Sequence, residues 1–278
     1  MKKGNLAKGL LGLALGAAMI LGGAAAQAGG GTITITGSTT VLPVAQKAAE
    51  VYMKKNPGVR ISVAGTGSGD GIKAVIDGTA DIGDSSRDMK AKEIKMAKEK
   101  GVTPKKYTVA MDCIVPVVNP ANPVKDLSLE QLKGIYTGKV KNWKDVGGND
   151  KPVVVISRDS SSGTFEVWNH KVLGKKTRVR PDAQLQASNG AVAQAVAGNK
   201  YAIGYVGIGY LNPKLKGLTV DGVTASPKTA IEKTYPIARG LYMFTNSEPK
   251  GEVAGFITFV MGPEGQKIVK EEGFVPIN

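Results

Sequence analysis

One pattern recurs three times along this chain: a run short enough for a strand, a turn of Gly, Ser and Thr, then apolar residues at helical spacing. Thr32 to Thr36 alternates Thr and Ile at period two. Gly37-Ser38-Thr39-Thr40 follows, and Val44, Ala45, Ala48, Val51 and Tyr52 mark a helix over Val41 to Lys55. Pro57-Gly58 ends that helix. Val59 to Val63 alternates again, and Gly65-Thr66-Gly67-Ser68-Gly69-Asp70-Gly71 leads into a short helical segment, Ile72 to Ile76. The third copy starts from the apolar strand Val153 to Ser157. It passes through Arg158-Asp159-Ser160-Ser161-Ser162-Gly163-Thr164 into a helix carrying Phe165, Val167, Trp168 and Val172.

The intervening segments keep the alternation. Lys90 to Lys100 reads as a charged surface helix, and Tyr107 to Val118 as a long buried strand that ends in Asn119-Pro120-Ala121-Asn122-Pro123, the best internal boundary. Leu127 to Tyr136 is helical, Ser188-Asn189-Gly190 opens a helix over Ala191 to Ala197, and Ala202 to Val206 is a strand. Tyr235-Pro236 and the apolar Leu241 to Phe244 form a return, closed by helices Val253 to Met261 and Gly265 to Glu271. Strands alternating with helices throughout predict an α/β fold with a mainly parallel sheet.

Such turns set helix-start N–H groups and Ser/Thr hydroxyls at the carboxyl ends of strands, where α/β folds bind ligands. Taken singly, each is an ordinary helix cap. Three together, with Arg158 heading the richest, predict an anion site. The charge balance agrees: 37 Lys and Arg stand against 23 Asp and Glu in 278 residues, a formal +14. A nucleic-acid partner is disfavoured, because only 5% of residues are aromatic and the lysines are scattered.

The same composition excludes much chemistry. One Cys and one His leave no Cys/His zinc site, no intramolecular disulfide and no CxxC pair. No metal and no cofactor is expected. The sequence from Gly65 fails the G-x-G-x-x-G pattern at Asp70, and no Gly precedes Lys73 as a phosphate loop requires. His170 reads as an exposed or capping residue, and Cys113, in an apolar strand, as a small buried hydrophobe.

The first 28 residues read as an export leader: Lys2, Lys3 and Lys8, an apolar stretch from Leu10 to Leu21, then Ala26-Gln27-Ala28 as the cleavage site. Cleavage near Ala28/Gly29 predicts a periplasmic protein with no stable membrane anchor. The leader carries three of the 37 basic residues, so the remaining 34 against 23 acidic residues leave +11 on the folded part.

Across essentially the whole mature chain, the sequence resembles the periplasmic phosphate-binding proteins of phosphate-specific ABC importers. The resemblance is carried by Gly37-Ser38-Thr39-Thr40-Val41-Leu42-Pro43, by Gly67-Ser68-Gly69-Asp70-Gly71-Ile72-Lys73, and by Asp81-Ile82-Gly83-Asp84-Ser85-Ser86-Arg87. It continues in Leu129 to Gly138 with Asn142-Trp143, and most specifically in Arg158 to Thr164. It implies a two-lobed type II binding protein, each lobe a mixed, mainly parallel sheet flanked by helices. Residues 29–119 with 238–278 would form one lobe and residues 120–237 the other, joined by crossovers near Asn119 to Asn122 and Pro236 to Gly240.

The resemblance further implies that Ser38, Thr39, Thr40 and Ser68 meet phosphate from one lobe, Thr40 through its backbone N–H. Arg158, Ser162, Gly163 and Thr164 would meet it from the other. Where better-known members place an Asp that accepts a phosphate proton, this chain has Ser86 followed by Arg87. Arg87 is expected to add a second positive charge, while Asp70, as an acceptor, and Asn189 are further candidates. The implied partners are inorganic phosphate and the membrane permease subunits of an importer, with the protein itself a monomer and not an enzyme. Sulfate, molybdate or arsenate as ligand, a secreted phosphoester hydrolase, and an envelope adhesion or signalling protein stay open as alternatives.

Overall fold

The computed structural model describes residues 30–174 and 177–277; the expected leader lies outside them. The chain opens as read. β1 (Thr32–Gly37) buries Ile33 and Ile35 and turns its threonines outward, and α1 (Leu42–Lys55) presents Val44, Ala45, Ala48, Ala49 and Tyr52 as one buried stripe. β2 (Arg60–Gly65), α2 (Ser68–Asp77) and β3 (Ile82–Ser85) complete two crossover units, with β2 and β3 both parallel to β1. β3 lacks apolar alternation and was not visible as a strand. All four of its residues are buried, so both faces are covered.

α3 (Ala91–Glu99) keeps its charged face to solvent, and its start is fixed by the Glu93 carboxylate, which accepts the Lys90 N–H at 2.8 Å. β4 (Lys105–Val118) then runs for 14 residues. Beyond it lie β5 (Asp126–Leu127), α4 (Leu129–Thr137), β6 (Val154–Arg158) and α5 (Gly163–Trp168), which continues as a π-helical turn over Asn169–Leu173. α4 starts at a Ser128/Gln131 capping box, a local device that contributes about 1 kcal/mol. β7 (Gln184–Gln186), α6 (Asn189–Ala197), β8 (Ala202–Gly207), β9 (Lys216–Gly217), β10 (Thr219–Val220) and α7 (Pro227–Ile231) finish this half. β11 (Ala238–Thr245) returns to the first half, which α8 (Gly251–Met261) and α9 (Pro263–Glu271) close.

The strand order is β2-β1-β3-β11-β4-β8-β6-β7, with β9 also on β4 and a separate β10-β5 pair. Ladders at both ends are parallel, whereas β3-β11, β11-β4 and β4-β8 are antiparallel. The reason is topological: β4 carries the chain out of one half and β11 brings it back, so the two must run in opposite directions. The α/β reading therefore holds with a sheet that is mixed at its centre.

Two apolar cores flank the crossing. One gathers Ile33, Ile35, α1, α8 and α9 around Val109, Ala110, Leu241 and Met243. The other gathers Trp143, Trp168, Tyr136 and Tyr205 around Cys113 to Val118, Ile237 and Ala238. Both crossing strands thus change core over two or so residues, Met111–Asp112 on β4 and Arg239–Gly240 on β11. Asp112 and Arg239 face each other in register there.

Candidate functional site

The three Gly/Ser/Thr turns converge. Ser38, Thr39 and Thr40 follow β1, Ser68 opens α2, Ser86 follows β3, Arg158 ends β6, Ser162, Gly163 and Thr164 lead into α5, and Asn189 opens α6. These polar side chains are all buried, none more than 4% exposed. Burying so many polar groups costs free energy unless each is bonded, and most are.

Within the first half, Ser38 Oγ accepts the Thr40 N–H at 3.1 Å, and Ser68 Oγ accepts the Ser86 N–H at 3.0 Å. The Ser86 hydroxyl lies 3.3 Å from that of Ser68. From the other half, Asn189 Nδ2 donates to the hydroxyls of Thr39 and Thr40, both at 3.0 Å, while its Oδ1 accepts the Gly207 N–H. The Gly69 N–H donates to the Ser161 carbonyl at 3.0 Å, and Tyr210 donates its hydroxyl to the Thr39 carbonyl. A Cβ added to Gly163 would lie 2.3 Å from Ser68 Oγ and 2.8 Å from Ser86 Oγ. The two halves are closed on one another, and glycine is what lets them meet.

Arg158 is the exception to saturation. Its Nε and Nη2 donate to the carbonyls of Gln186 (2.9 Å) and Ala187 (3.0 Å), but Nη1 is buried with no acceptor. Among the described residues it forms no ion pair, and burial lowers its pKa. Behind it, the Tyr205 hydroxyl accepts the Arg158 N–H and meets Ser157 Oγ, and the Tyr205 ring stacks on Trp168 at 4.2 Å. The Arg158 backbone is thus held at the edge of a stacked aromatic pair. The nearby carboxylates are engaged elsewhere: Asp112 by Arg239, and Asp159 by the N–H and hydroxyl of Ser161.

Two candidate residues stand apart from this group. Asp70 is exposed on α2. Arg87 is buried, but its guanidinium is taken by a bidentate pair with Glu93 (2.7 and 2.8 Å) and by Glu166, 3.0 Å from its Nε. His170 is exposed, Cys113 is buried with its thiol pushed up to about 12, chiefly by burial, and no cluster of His, Cys, Asp and Glu among the described residues could hold a metal ion.

Sequence reasoning missed Asp112 and Arg239. Arg239 donates Nε to Asp112 Oδ2 at 2.8 Å, Nη1 to the Ser86 carbonyl and Nη2 to Thr40 Oγ1, so it ties the crossing to the site. Burial lowers the Arg239 pKa and raises that of Asp112, each against the pull of its partner. Removing one member of such a pair costs about 3–5 kcal/mol. The available signal was a single charge inside each of two apolar strands.

Buried hydroxyls brought together from two halves, with a buried guanidinium N–H that has no protein acceptor on the Arg158 turn, suit a small oxyanion. Comparison with known proteins agrees. Residues 22–264 match the model of the PBP superfamily domain. The chain is 33% identical over 249 residues to the phosphate-binding protein PstS of Bacillus subtilis, covering 89% of this chain and 81% of the relative. Among solved structures, it is similar to one from Clostridium perfringens described as a phosphate ABC transporter substrate-binding protein with bound phosphate (37% identity, TM-score 0.83, 89% of this chain and 100% of that one). It is also similar to an ABC-type phosphate transport receptor from Vibrio cholerae (33% identity, TM-score 0.73, 87% and 99% covered). On its sequence, its fold and the extent of these matches, the chain belongs to the PstS family of phosphate-binding proteins within the PBP superfamily.

Proposed function

We propose that the buried group binds inorganic phosphate and that the protein delivers it to the permease of an ABC importer, acting as a monomer in the periplasm after its leader is removed. The observation that carries this reading is Arg158 Nη1, a buried cationic donor with no protein acceptor. In the enclosed group an oxyanion supplies that acceptor, and each charge-assisted hydrogen bond it accepts contributes about 1.5–3 kcal/mol. Ser38, Thr39, Thr40, Ser68 and Ser86 serve it from one lobe, and Arg158, Ser162, Gly163, Thr164 and Asn189 from the other. In this reading the crossovers run through β4 and β11, which change core at Met111–Asp112 and Arg239–Gly240. Closure is then the signal read by the transporter, because only differential contacts distinguish liganded from free protein.

Titration calorimetry on the leader-free chain tests the reading: binding at micromolar affinity or tighter supports it, and absence of heat with phosphate overturns it. One observation favours a broader ligand class. With Asp112 and Asp159 both engaged, neither carboxylate is free to accept a ligand's proton. Such a site suits a dianion, and sulfate or arsenate competition measures how far selectivity extends.

A further inference from the structure

Glu166 lies on α5, the helix that Ser162, Gly163 and Thr164 lead into, and it reaches across to the other lobe. Its carboxylate is 3.0 Å from Arg87 Nε and 2.6 Å from Lys90 Nζ. We propose that Glu166 is a closure latch: it sets how fast bound phosphate leaves without touching the ion. The proposal rests on the phosphate reading above.

The receiving half of the latch is built in advance. Glu93 holds Arg87 by two bonds and also accepts the Lys90 N–H, while Arg87 Nη1 donates to the Asp88 carbonyl at 2.9 Å. These contacts all lie within one lobe, so they persist when the lobes part. The contacts to Glu166 do not. Arg87 Nε is buried and makes no hydrogen bond, and the Glu166 carboxylate 3.0 Å away holds it by charge alone. On the delivering side, α5 is anchored by Thr164 and Trp168, both buried, so Glu166 moves with the anion-facing turn as one body.

The latch differs from the exposed lysine pairs elsewhere, which contribute little. The Arg87 side chain is 6% exposed and that of Glu166 17%. A cavity of about 620 Å³ lined by Arg87, Lys90, Glu166 and Arg239 brings water and small ions to one side of it. Salt therefore screens the latch while the enclosed anion site stays shielded.

The test uses the leader-free full chain with inorganic phosphate. Release is followed by chasing radiolabelled phosphate from wild type and Glu166→Gln, with a salt series on both proteins as a second readout. The expected results are release about tenfold faster in Glu166→Gln, an unchanged association rate and an unchanged melting temperature for the free protein. Raising salt from about 20 to about 500 mM should speed release from wild type and leave Glu166→Gln flat. Equal release rates in the two proteins overturn the latch. If wild type binds no phosphate, the phosphate reading falls and takes the latch with it.

Discussion

The hydroxyls of Thr40 and Thr164 lie 3.0 Å apart, although 124 positions separate them in the chain. One follows β1 and the other opens α5, so their contact exists only when the two halves are shut. Asn189 bonds the same Thr40 hydroxyl, and Arg239 reaches it from the crossing strands. Thr40 is where the two lobes and their connection meet.

Closure depends on the lack of a side chain at position 163. Gly163→Ala adds a methyl group 2.3 Å from Ser68 Oγ, a clash that falls wholly across the cleft. Phosphate affinity should drop by about 100-fold or more, as overpacking of this kind costs up to about 3 kcal/mol. The free protein should melt as wild type does. Calorimetry with a thermal melt checks both, and normal affinity would remove Gly163 from the interface.

Arg158→Ala removes the free buried donor. Affinity should fall by at least ~2 kcal/mol, about thirtyfold, measured by calorimetry. Because Arg158 also serves the carbonyls of Gln186 and Ala187, the melting temperature should fall as well, while circular dichroism keeps the α/β signature.

Selectivity follows from the missing acceptor. With Asp112 and Asp159 engaged, phosphate affinity should hold across pH 7–9 and decline in more acid solution as the dianion is lost. Sulfate should compete measurably. Titrations from pH 5 to 9 with sulfate present decide this, and tighter binding at pH 5 than at pH 8 would contradict it.

Asp84 offers a stability test independent of ligand. Its carboxyl is fully buried, Oδ1 has no partner, and burial holds its pKa well above the usual carboxylate range. The folded state therefore keeps a proton that the unfolded chain releases above about pH 4, so this group's contribution weakens as pH rises from there. Asp84→Asn should melt like wild type near pH 4 and higher than wild type at pH 8, by about 2–4 °C for each kcal/mol regained. An equal difference at both pH values would show that Asp84 does not titrate in this range.

Much of the site could be read in advance because its signals are local. A strand, a Gly/Ser/Thr turn and a helix start are consecutive residues, and Ser38 to Thr40, Ser68 and Ser162 to Thr164 were each visible that way. What escaped was made by distant pairing. Arg239 and Asp112 are 127 positions apart, and the meaning of either charge depends on the other. Arg87 has the chemistry of an anion ligand, and only the folded chain shows Glu93 and Glu166 occupying it. β3 escaped because Ile82-Gly83-Asp84-Ser85 has no apolar period, its burial coming from neighbours on both faces.

β4 belongs to two cores at once, contributing Val109 and Ala110 to one and Cys113 to Val118 to the other. No cut in the chain frees one lobe with its sheet whole, since each half needs its own stretch of this single strand. The two cores are therefore not separable as folding units: loss of either one unseats a central strand of the other.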